Sequence, residues 1–266
     1  MHFLTAVSLL ILASCGSAPA PEPLAETQER IIAHRGGVVG DEYAENSPAA
    51  LEASVERGYW MIEVDVRESK DGKLVVQHDP DFQRFYGDSR LLADMRWEEI
   101  AELRADPGDS RPIEFHELAA LAKGRLRLML DTKPPEHSEA FFEEMERVLR
   151  ESDLLKSAYV IGTPQSRRWF LGKAHVGMPL DAIEEAASRG EDVAARFFLF
   201  EHGRDLTREK VARGQELGVP VVPSINIFHY DDLDDHMKAA EADLRRMLDY
   251  GVEEFQIDSP YDVWLR

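Results

Sequence analysis

Two carboxylates stand two residues apart inside an apolar run, in the segment YWMIEVDVRESKDGKLVVQHD. Successive side chains of a β-strand point to opposite faces, so Glu63 and Asp65 leave the same face. Two carboxylates that lose their hydration side by side repel each other and need a cationic partner. Oxygen ligands of this kind favour a hard divalent ion, Mg²⁺ or Ca²⁺. An outward-facing polar pair on a half-exposed strand is the alternative that the pattern leaves open.

A third carboxylate ends the most apolar run of the chain, LRLMLDTKPP. Asp131 could complete a metal site. Lys133 follows two residues later, points the same way and could reach a phosphate oxygen as a point charge. Each of these residues alone is also typical of a surface salt bridge.

Two histidines each follow directly after a β-type run, His34 in RIIAHRGG and His78 in VVQHDP. Imidazoles titrate near neutrality, so this pair predicts a general acid and a general base. A metal ion, Arg35 and Lys133 would stabilise charge on the non-bridging oxygens of a phosphate. The combination therefore indicates displacement at phosphorus.

The elements that would position these residues alternate along the chain. From residue 30 onward, apolar runs of β-type alternate with helical patterns, and the predicted strands cover residues 31–34, 61–66, 74–77, 126–131, 158–161, 174–177, 197–200, 219–222 and 254–257. Repeated strand–helix units at this length predict an α/β fold and favour a closed (β/α)8 barrel, the TIM barrel. Run 74–77 is either an extra strand or part of an insertion that covers 79–109, whose aromatic residues form either a lid or simple packing. Catalytic residues of such barrels lie at the carboxyl ends of the strands.

The composition limits the partners of the protein. The chain has 266 residues and a formal charge of −20, from 51 acidic and 31 basic residues. This charge argues against binding nucleic acid or anionic lipid through the general surface field. An anionic small-molecule substrate must therefore be bound by local cations. The oligomeric state is not indicated.

The N-terminal segment predicts export. An apolar stretch at residues 3–13 is too short to span a bilayer and is placed like the core of a signal peptide. The residues LASC resemble a bacterial lipobox, which predicts cleavage before Cys15 and lipid attachment to that sulfur. The predicted organisation is a leader at 1–14, a tether at 15–29 and a folded domain at 30–266, in a lipoprotein of a bacterial envelope. An ordinary secretory leader, with a periplasmic or secreted product, is the alternative.

Taken together, the string AHRGG…ENSPAAL…GYWMIEVDVRESKDGKLVVQHDP resembles the signature of the glycerophosphodiester phosphodiesterase family. The matching positions are His34, Arg35, Gly36, Glu45, Asn46, Ser47, Glu63, Asp65, Asp71, Gly72, His78 and Asp79. A weaker similarity continues to the end of the chain, where Asn226 matches an asparagine of the family. Two positions differ: Asp131 replaces a glutamate, as in the related sphingomyelinase D-like phospholipases, and Pro223 replaces a tryptophan.

The resemblance implies a TIM barrel that hydrolyses glycerophosphodiesters to glycerol 3-phosphate and an alcohol. It implies a divalent metal, Mg or Ca, bound by Glu63, Asp65 and Asp131, with His34 and His78 as acid and base. The other implied site residues are Arg35 and Lys133 at the phosphate and Glu45, Asn46 and Asn226 as substrate contacts or supports.

Three readings remain open at this point. The first is hydrolysis of soluble glycerophosphodiesters, directly or through a cyclic phosphate. The second is cleavage of lysolipids or sphingolipids, in the manner of a phospholipase D or sphingomyelinase D, with a cyclic product. The third is a non-catalytic barrel lipoprotein. The assignment of acid and base between the two histidines is also open.

Overall fold

The computed structural model describes residues 30–37 and 42–266. The predicted leader, the tether and Cys15 lie outside these residues. In the described part, the strands are β1 (Arg30–Ala33), β2 (Met61–Glu68), β3 (Leu74–Val76), β4 (Asp81–Phe82), β5 (Asp88–Leu91), β6 (Ile113–Glu114), β7 (Arg127–Thr132), β8 (Tyr159–Val160), β9 (His175–Met178), β10 (Phe197–His202), β11 (Val221–Ile225) and β12 (Glu254–Ile257). The α-helices are α1 (Pro48–Glu56), α2 (Gln83–Tyr86), α3 (Trp97–Ile100), α4 (Phe115–Ala122), α5 (Glu139–Glu151), α6 (Pro164–Phe170), α7 (Leu180–Ser188), α8 (Arg208–Glu216) and α9 (His236–Asp249).

Eight of the described strands close into a parallel barrel, in the order β1, β2, β7, β8, β9, β10, β11, β12 and back to β1. The closing contacts pair Arg30 with Glu254 and Ile32 with Met61. The predicted (β/α)8 barrel is therefore confirmed.

Two apolar layers hold the barrel together. Ile62 and Val64 of β2 point outward into the core between strands and helices, whereas Met61 points inward. Inside, Met61 packs with Met129 and Phe198. Because side chains alternate along a strand, the inward face that carries Met61 also carries the next acidic residues of β2.

Run 74–77 is an extra strand. β3 pairs antiparallel with β2, and β6 pairs antiparallel with β3 on its other edge. Strands β3 and β6 therefore lie outside the parallel barrel. Residues 79–109 form the insertion between them, with a small core of Val75, Phe82, Leu92, Met95 and Ile100. Phe82 is fully buried there and Tyr86 packs edge-on against it, with ring centroids 5.5 Å apart. Packing therefore accounts for these two aromatic residues.

Helix α1 shows how the local sequence places the loops of the site. Ser47 is its N-cap and accepts a hydrogen bond from the backbone N–H of Ala50. Pro48 occupies the first turn, where its missing N–H is not needed. The start of the helix thereby anchors the residues that precede Ser47.

None of the helices in residues 30–37 and 42–266 combines the length and the apolar character that a bilayer crossing requires.

Candidate functional site

The predicted site residues gather at one end of the barrel, which we call the mouth: the carboxyl ends of the barrel strands. His34 follows β1 directly, and its backbone N–H donates to the carbonyl of Ile257 at the end of β12. Asp65 of β2 lies opposite Asp131 of β7 in the parallel register. Strand pairing thus brings together residues that are far apart in sequence.

Glu63, Asp65 and Asp131 form an acidic cluster. Each offers an oxygen that lies within 4.8 Å of the others. Glu63 and Asp65 are buried, with 1% and 0% of their surfaces exposed, and the side chain of Asp131 is 25% exposed. The prediction that the two carboxylates of β2 share a face is consistent with this geometry, and the outward-facing alternative is not.

The three carboxyl groups differ in the direction of their pKa shifts. The pKa of Glu63 lies well above its usual range, first because the group is buried and then because Asp65 is adjacent. Burial also raises the pKa of Asp131. Burial acts in the same direction on Asp65, but Lys133 and His78 outweigh it and lower the pKa of that carboxyl. The raised pKa values indicate a cluster with too little positive charge.

Lys133 binds two members of this cluster. Its Nζ lies 2.7 Å from Asp65 Oδ1 and 2.6 Å from Asp131 Oδ2. Burial alone would lower the pKa of the ammonium, but Asp65 and Asp131 raise it above its usual value. One ammonium does not neutralise three carboxylates. The donor set, all oxygen and net negative, therefore fits a divalent cation of the Mg²⁺ or Ca²⁺ type.

The turn after β1 places the backbone of Arg35 beside the acidic cluster. Arg35 adopts φ +56°, a left-handed conformation that costs energy for a residue with a side chain. Its backbone N–H donates to Glu63 Oε2 at 2.8 Å, and the N–H of Gly36 donates to the Glu63 carbonyl at 2.6 Å. The Arg35 carbonyl accepts from the N–H of Asn46 at 2.8 Å. These bonds hold a strained turn beside the acidic cluster.

Glu45 and Asn46 support the site from the start of α1. Asn46 Nδ2 donates to Asp65 Oδ2 at 2.8 Å, which occupies a lone pair of the buried carboxylate. Glu45 Oε2 accepts from Arg35 Nη1 at 2.9 Å. Both residues are buried, so they orient a carboxylate and a guanidinium.

Each of the two histidines predicted as acid and base contacts a carboxylate through its Nδ1 atom. His34 Nδ1 is 2.8 Å from Asp258 Oδ1, and His78 Nδ1 is 2.8 Å from Asp79 Oδ1. Both carboxyl groups are partly desolvated, yet hydrogen bonds from the histidines help to keep the pKa of each below its usual value. An ionised carboxylate only accepts, so Nδ1 carries the proton in both rings and Nε2 is left for a reacting group.

Asn226 is directed into the barrel interior. Its Nδ2 donates to Ser224 Oγ at 2.9 Å and to Gln256 Oε1 at 3.0 Å, and only 1% of the residue is exposed. Of the two predicted roles, substrate contact and site support, these bonds favour support.

A cavity of about 370 Å³ opens at the mouth beside the turn after β1. Its polar lining residues include His34, Arg35 and Glu45. Its apolar lining residues are Ile227, Phe228 and Pro260, which we call the apolar lip. Ile227 is 36% and Phe228 is 49% exposed, and the Phe228 ring centroid lies 5.9 Å from that of His34.

Sequence reasoning missed three contributors to the site: Asp258, Arg84 and Phe228. Asp258 lies 224 positions from its partner His34, and closure of the barrel brings the two together. Arg84 sits in the insertion and binds Glu45 and Asp79. The aspartate of the segment QIDSP, at the end of the last predicted strand, was the signal available for Asp258.

Several known proteins are similar to this chain over part of its length. The chain is 40% identical over 75 residues to a glycerophosphodiester phosphodiesterase of Caldanaerobacter subterraneus, covering 28% of this chain and 30% of that protein. It is 36% identical over 69 residues to a lysophospholipase D of Homo sapiens, covering 26% and 21%. The matched segments thus span less than a third of these relatives.

A solved structure of an Oleispira antarctica phosphodiesterase, in complex with its product sn-glycerol-3-phosphate, has the same fold. It superposes with a TM-score of 0.65 at 19% identity, covering 88% of this chain and 94% of that one.

The model of the glycerophosphoryl diester phosphodiesterase family matches residues 34–253, which include the turn after β1, the acidic cluster and both histidines. The resemblance seen in the sequence is confirmed, and the chain belongs to the glycerophosphoryl diester phosphodiesterase family.

Proposed function

We propose that the protein is a metal-dependent phosphodiesterase that hydrolyses glycerophosphodiesters to glycerol 3-phosphate and an alcohol. The observation that carries this proposal is the acidic cluster of Glu63, Asp65 and Asp131 at the mouth, with Lys133 bound to it. Family membership and the product bound to the Oleispira antarctica phosphodiesterase support the same substrate class.

In this proposal the acidic cluster holds a divalent cation through Glu63, Asp65 and Asp131. When bound, the cation supplies Lewis-acid stabilisation of charge on the phosphate oxygens. Arg35 and Lys133 contribute two further positive charges at the same phosphate. Because Glu45 binds Arg35 and Asp131 binds Lys133, the two cations are oriented before the substrate arrives.

The histidines transfer the protons. One Nε2 takes the proton of the attacking oxygen, and the other Nε2 donates a proton to the departing alkoxide. Asp258 and Asp79 hold the rings with Nδ1 protonated, and they stabilise the imidazolium that forms on the base. The same pair serves direct attack by water and attack by a substrate hydroxyl that gives a cyclic phosphate.

Glycerophosphocholine turnover with and without metal tests the proposal. We expect activity to be lost in EDTA and restored by Mg²⁺ or Ca²⁺, with glycerol 3-phosphate detected by phosphorus NMR. The conservative variant Glu63→Gln should lose activity at every metal concentration, because an amide keeps the shape but removes a charge. Absence of metal-dependent turnover on every phosphodiester tried would favour the non-catalytic reading.

The apolar lip favours a second candidate substrate, an amphiphilic diester such as a lysophospholipid. Contiguous exposed apolar patches with a polar rim are typical of ligand-binding grooves and interaction sites. Ile227 and Phe228 stand at the mouth where an aliphatic chain could leave the cavity.

A variant of the apolar lip can be compared on a substrate with an aliphatic chain and on one without. Replacement of Phe228 by Ser should raise the KM for lysophosphatidylcholine by about tenfold, because roughly 1.5 kcal/mol of apolar contact is lost. The KM for glycerophosphocholine should change less. Leu171→Ser, at a 38% exposed leucine that does not line this cavity, is the control. Equal effects on both substrates would assign the lip no part in chain recognition.

We also propose that the protein is exported and lipid-anchored through Cys15, as a lipoprotein of a bacterial envelope. The support is the lipobox-like sequence LASC that follows an apolar segment. Mass spectrometry of the purified N-terminus should find a diacylglyceryl group on Cys15, and Cys15→Ser should abolish it. If the purified protein instead begins at a residue after Cys15 and carries no lipid, the ordinary secretory leader would be favoured.

A further inference from the structure

Arg84 belongs to the short helix α2 of the insertion, yet its guanidinium reaches the mouth. Nε donates to Asp79 Oδ2 at 2.8 Å, and Nη2 donates to Glu45 Oε1. The side chain lines the cavity beside His34. Its two carboxylate partners come from different segments: Asp79 follows β3 and Glu45 precedes α1.

Both carboxylates use their second oxygen to bind a predicted site residue. Asp79 Oδ1 lies 2.8 Å from His78 Nδ1, and Glu45 Oε2 accepts from Arg35 Nη1 at 2.9 Å. The result is a continuous hydrogen-bonded chain, which we call the Arg84 frame: His78, Asp79, Arg84, Glu45 and Arg35.

The charges in the frame require a cation at its centre. Glu45, His78 and Asp79 each offer an atom within 4.8 Å of the others, so the two carboxylates would repel each other without a cation between them. The Glu45 side chain is only 2% exposed, and solvent does not replace a lost partner there. A planar guanidinium can bind two carboxylates at fixed angles, whereas a lysine ammonium is a point charge on a flexible stem.

We propose that Arg84 is a positioning residue that couples the insertion to catalysis. By binding both carboxylates, it fixes the ring of His78 and the guanidinium of Arg35 relative to each other. This inference rests on the proposed function of the mouth, because it assigns proton transfer to His78 and phosphate binding to Arg35.

Steady-state kinetics of Arg84→Met on glycerophosphocholine, at saturating metal, provide the first test. We expect kcat/KM to fall by about 10- to 100-fold, the usual cost of a misplaced catalytic group, with a lower kcat through His78 and a higher KM through Arg35. Arg84→Lys should recover part of the loss.

The matched control is Arg90→Met. Arg90 belongs to the same insertion and binds Asp88 and Glu99, but its side chain is 52% exposed and its partners lie outside the frame. Its kinetics should equal those of the wild type. Wild-type kinetics in Arg84→Met would overturn the proposal.

A double-mutant cycle separates positioning from a general structural role. If Arg84 acts through Glu45, then Glu45→Gln should reduce kcat/KM much less in the Arg84→Met background than in the wild type. Equal fold-losses in the two backgrounds would mean that the residues act independently, which contradicts the frame.

A second measurement needs no substrate. Imidazole nitrogen NMR, at a pH where the ring is neutral, should show His78 protonated at Nδ1 in the wild type and as a tautomer mixture in Arg84→Met. Unchanged His78 signals in the variant would overturn the frame. A wild-type protein without any phosphodiesterase activity would instead refute the proposed function and leave this NMR test in force.

Discussion

Removal of the imidazole of His34 or His78 should lower kcat strongly and leave the folding of the protein unchanged. We expect His34→Ala and His78→Ala each to fold normally and to lose about two to four orders of magnitude in kcat, the usual contribution of general acid–base catalysis. Circular dichroism and steady-state kinetics check the two halves of this expectation. Wild-type-like turnover in either variant would exclude that histidine from proton transfer.

A third histidine at the mouth should make stability depend on pH. His229 Nδ1 accepts a hydrogen bond from the N–H of Asn226 at 3.2 Å, which requires a neutral ring. Burial, followed by the proximity of His202 and His34, lowers the pKa of His229 to about 4. An unfolded histidine titrates near pH ~6.5, so between these values the unfolded chain binds the extra proton. The free energy of unfolding therefore falls as the pH is lowered from about 6.5 towards 4.

Urea unfolding of wild type and His229→Asn at pH 7.5 and 4.5 measures this contribution. Because His229 is only partly buried, we expect the wild type to lose no more than about 2 kcal/mol beyond the loss in the variant. An identical pH dependence in the two proteins would show that His229 does not carry the effect.

At the residue scale, sequence reasoning recovered what strand geometry dictates. The two-residue spacing of Glu63 and Asp65 was enough to place them on one face, because side chains alternate along a strand. The Asp258 partner of His34 and the Arg84 partner of Asp79 depend on barrel closure and on the fold of the insertion. No local pattern encodes either contact.

At the scale of elements, the turn directly after β1 sets the position of Arg35 at the mouth. Gly36 has φ +81°, and a Cβ added there would lie 2.5 Å from the Cα of Asn46. Gly190 has nearly the same φ, +80°, with nothing within 4 Å of such a Cβ. Alanine substitutions at these two glycines therefore distinguish two losses of stability: the loss from a left-handed conformation alone, at Gly190, and the additional loss from a backbone clash, at Gly36.

We expect Gly190→Ala to lower the free energy of unfolding by about 1 kcal/mol, the cost of a left-handed alanine. Gly36→Ala should lower it by more than about 3 kcal/mol, because it combines that strain with the clash, and should also reduce kcat/KM by displacing Arg35. Denaturant unfolding and kinetics measure both. Equal losses in the two variants would contradict the close approach of Gly36 to Asn46.

The same scale shows where element prediction failed. Long apolar runs indicated the barrel strands within a few residues, since these strands are buried on both faces. Strands β4, β5 and β6 were not predicted. They have two to four residues, and Asp88–Leu91 is mostly exposed, so their sequences carry no hydrophobic period.

For the whole molecule, the charge of −20 should affect how substrates approach. A negatively charged diester such as glycerophosphoglycerol is repelled at long range, and salt screens this repulsion. We expect its kcat/KM to rise about two- to tenfold between roughly 10 and 200 mM salt at constant metal. Zwitterionic glycerophosphocholine, with no net charge, is the control and should change much less. A fall in kcat/KM for the anionic substrate would mean that local cations, and not the overall field, govern the encounter.

β1 runs from Arg30 to Ala33 towards the mouth, so Arg30 marks the opposite end of the barrel. Any attachment made through residues that precede Arg30 therefore meets the barrel at the end opposite the mouth. If the protein is captured on beads or a biosensor chip by an N-terminal affinity tag, its mouth should face the solution. The captured protein should then keep the turnover of the free protein.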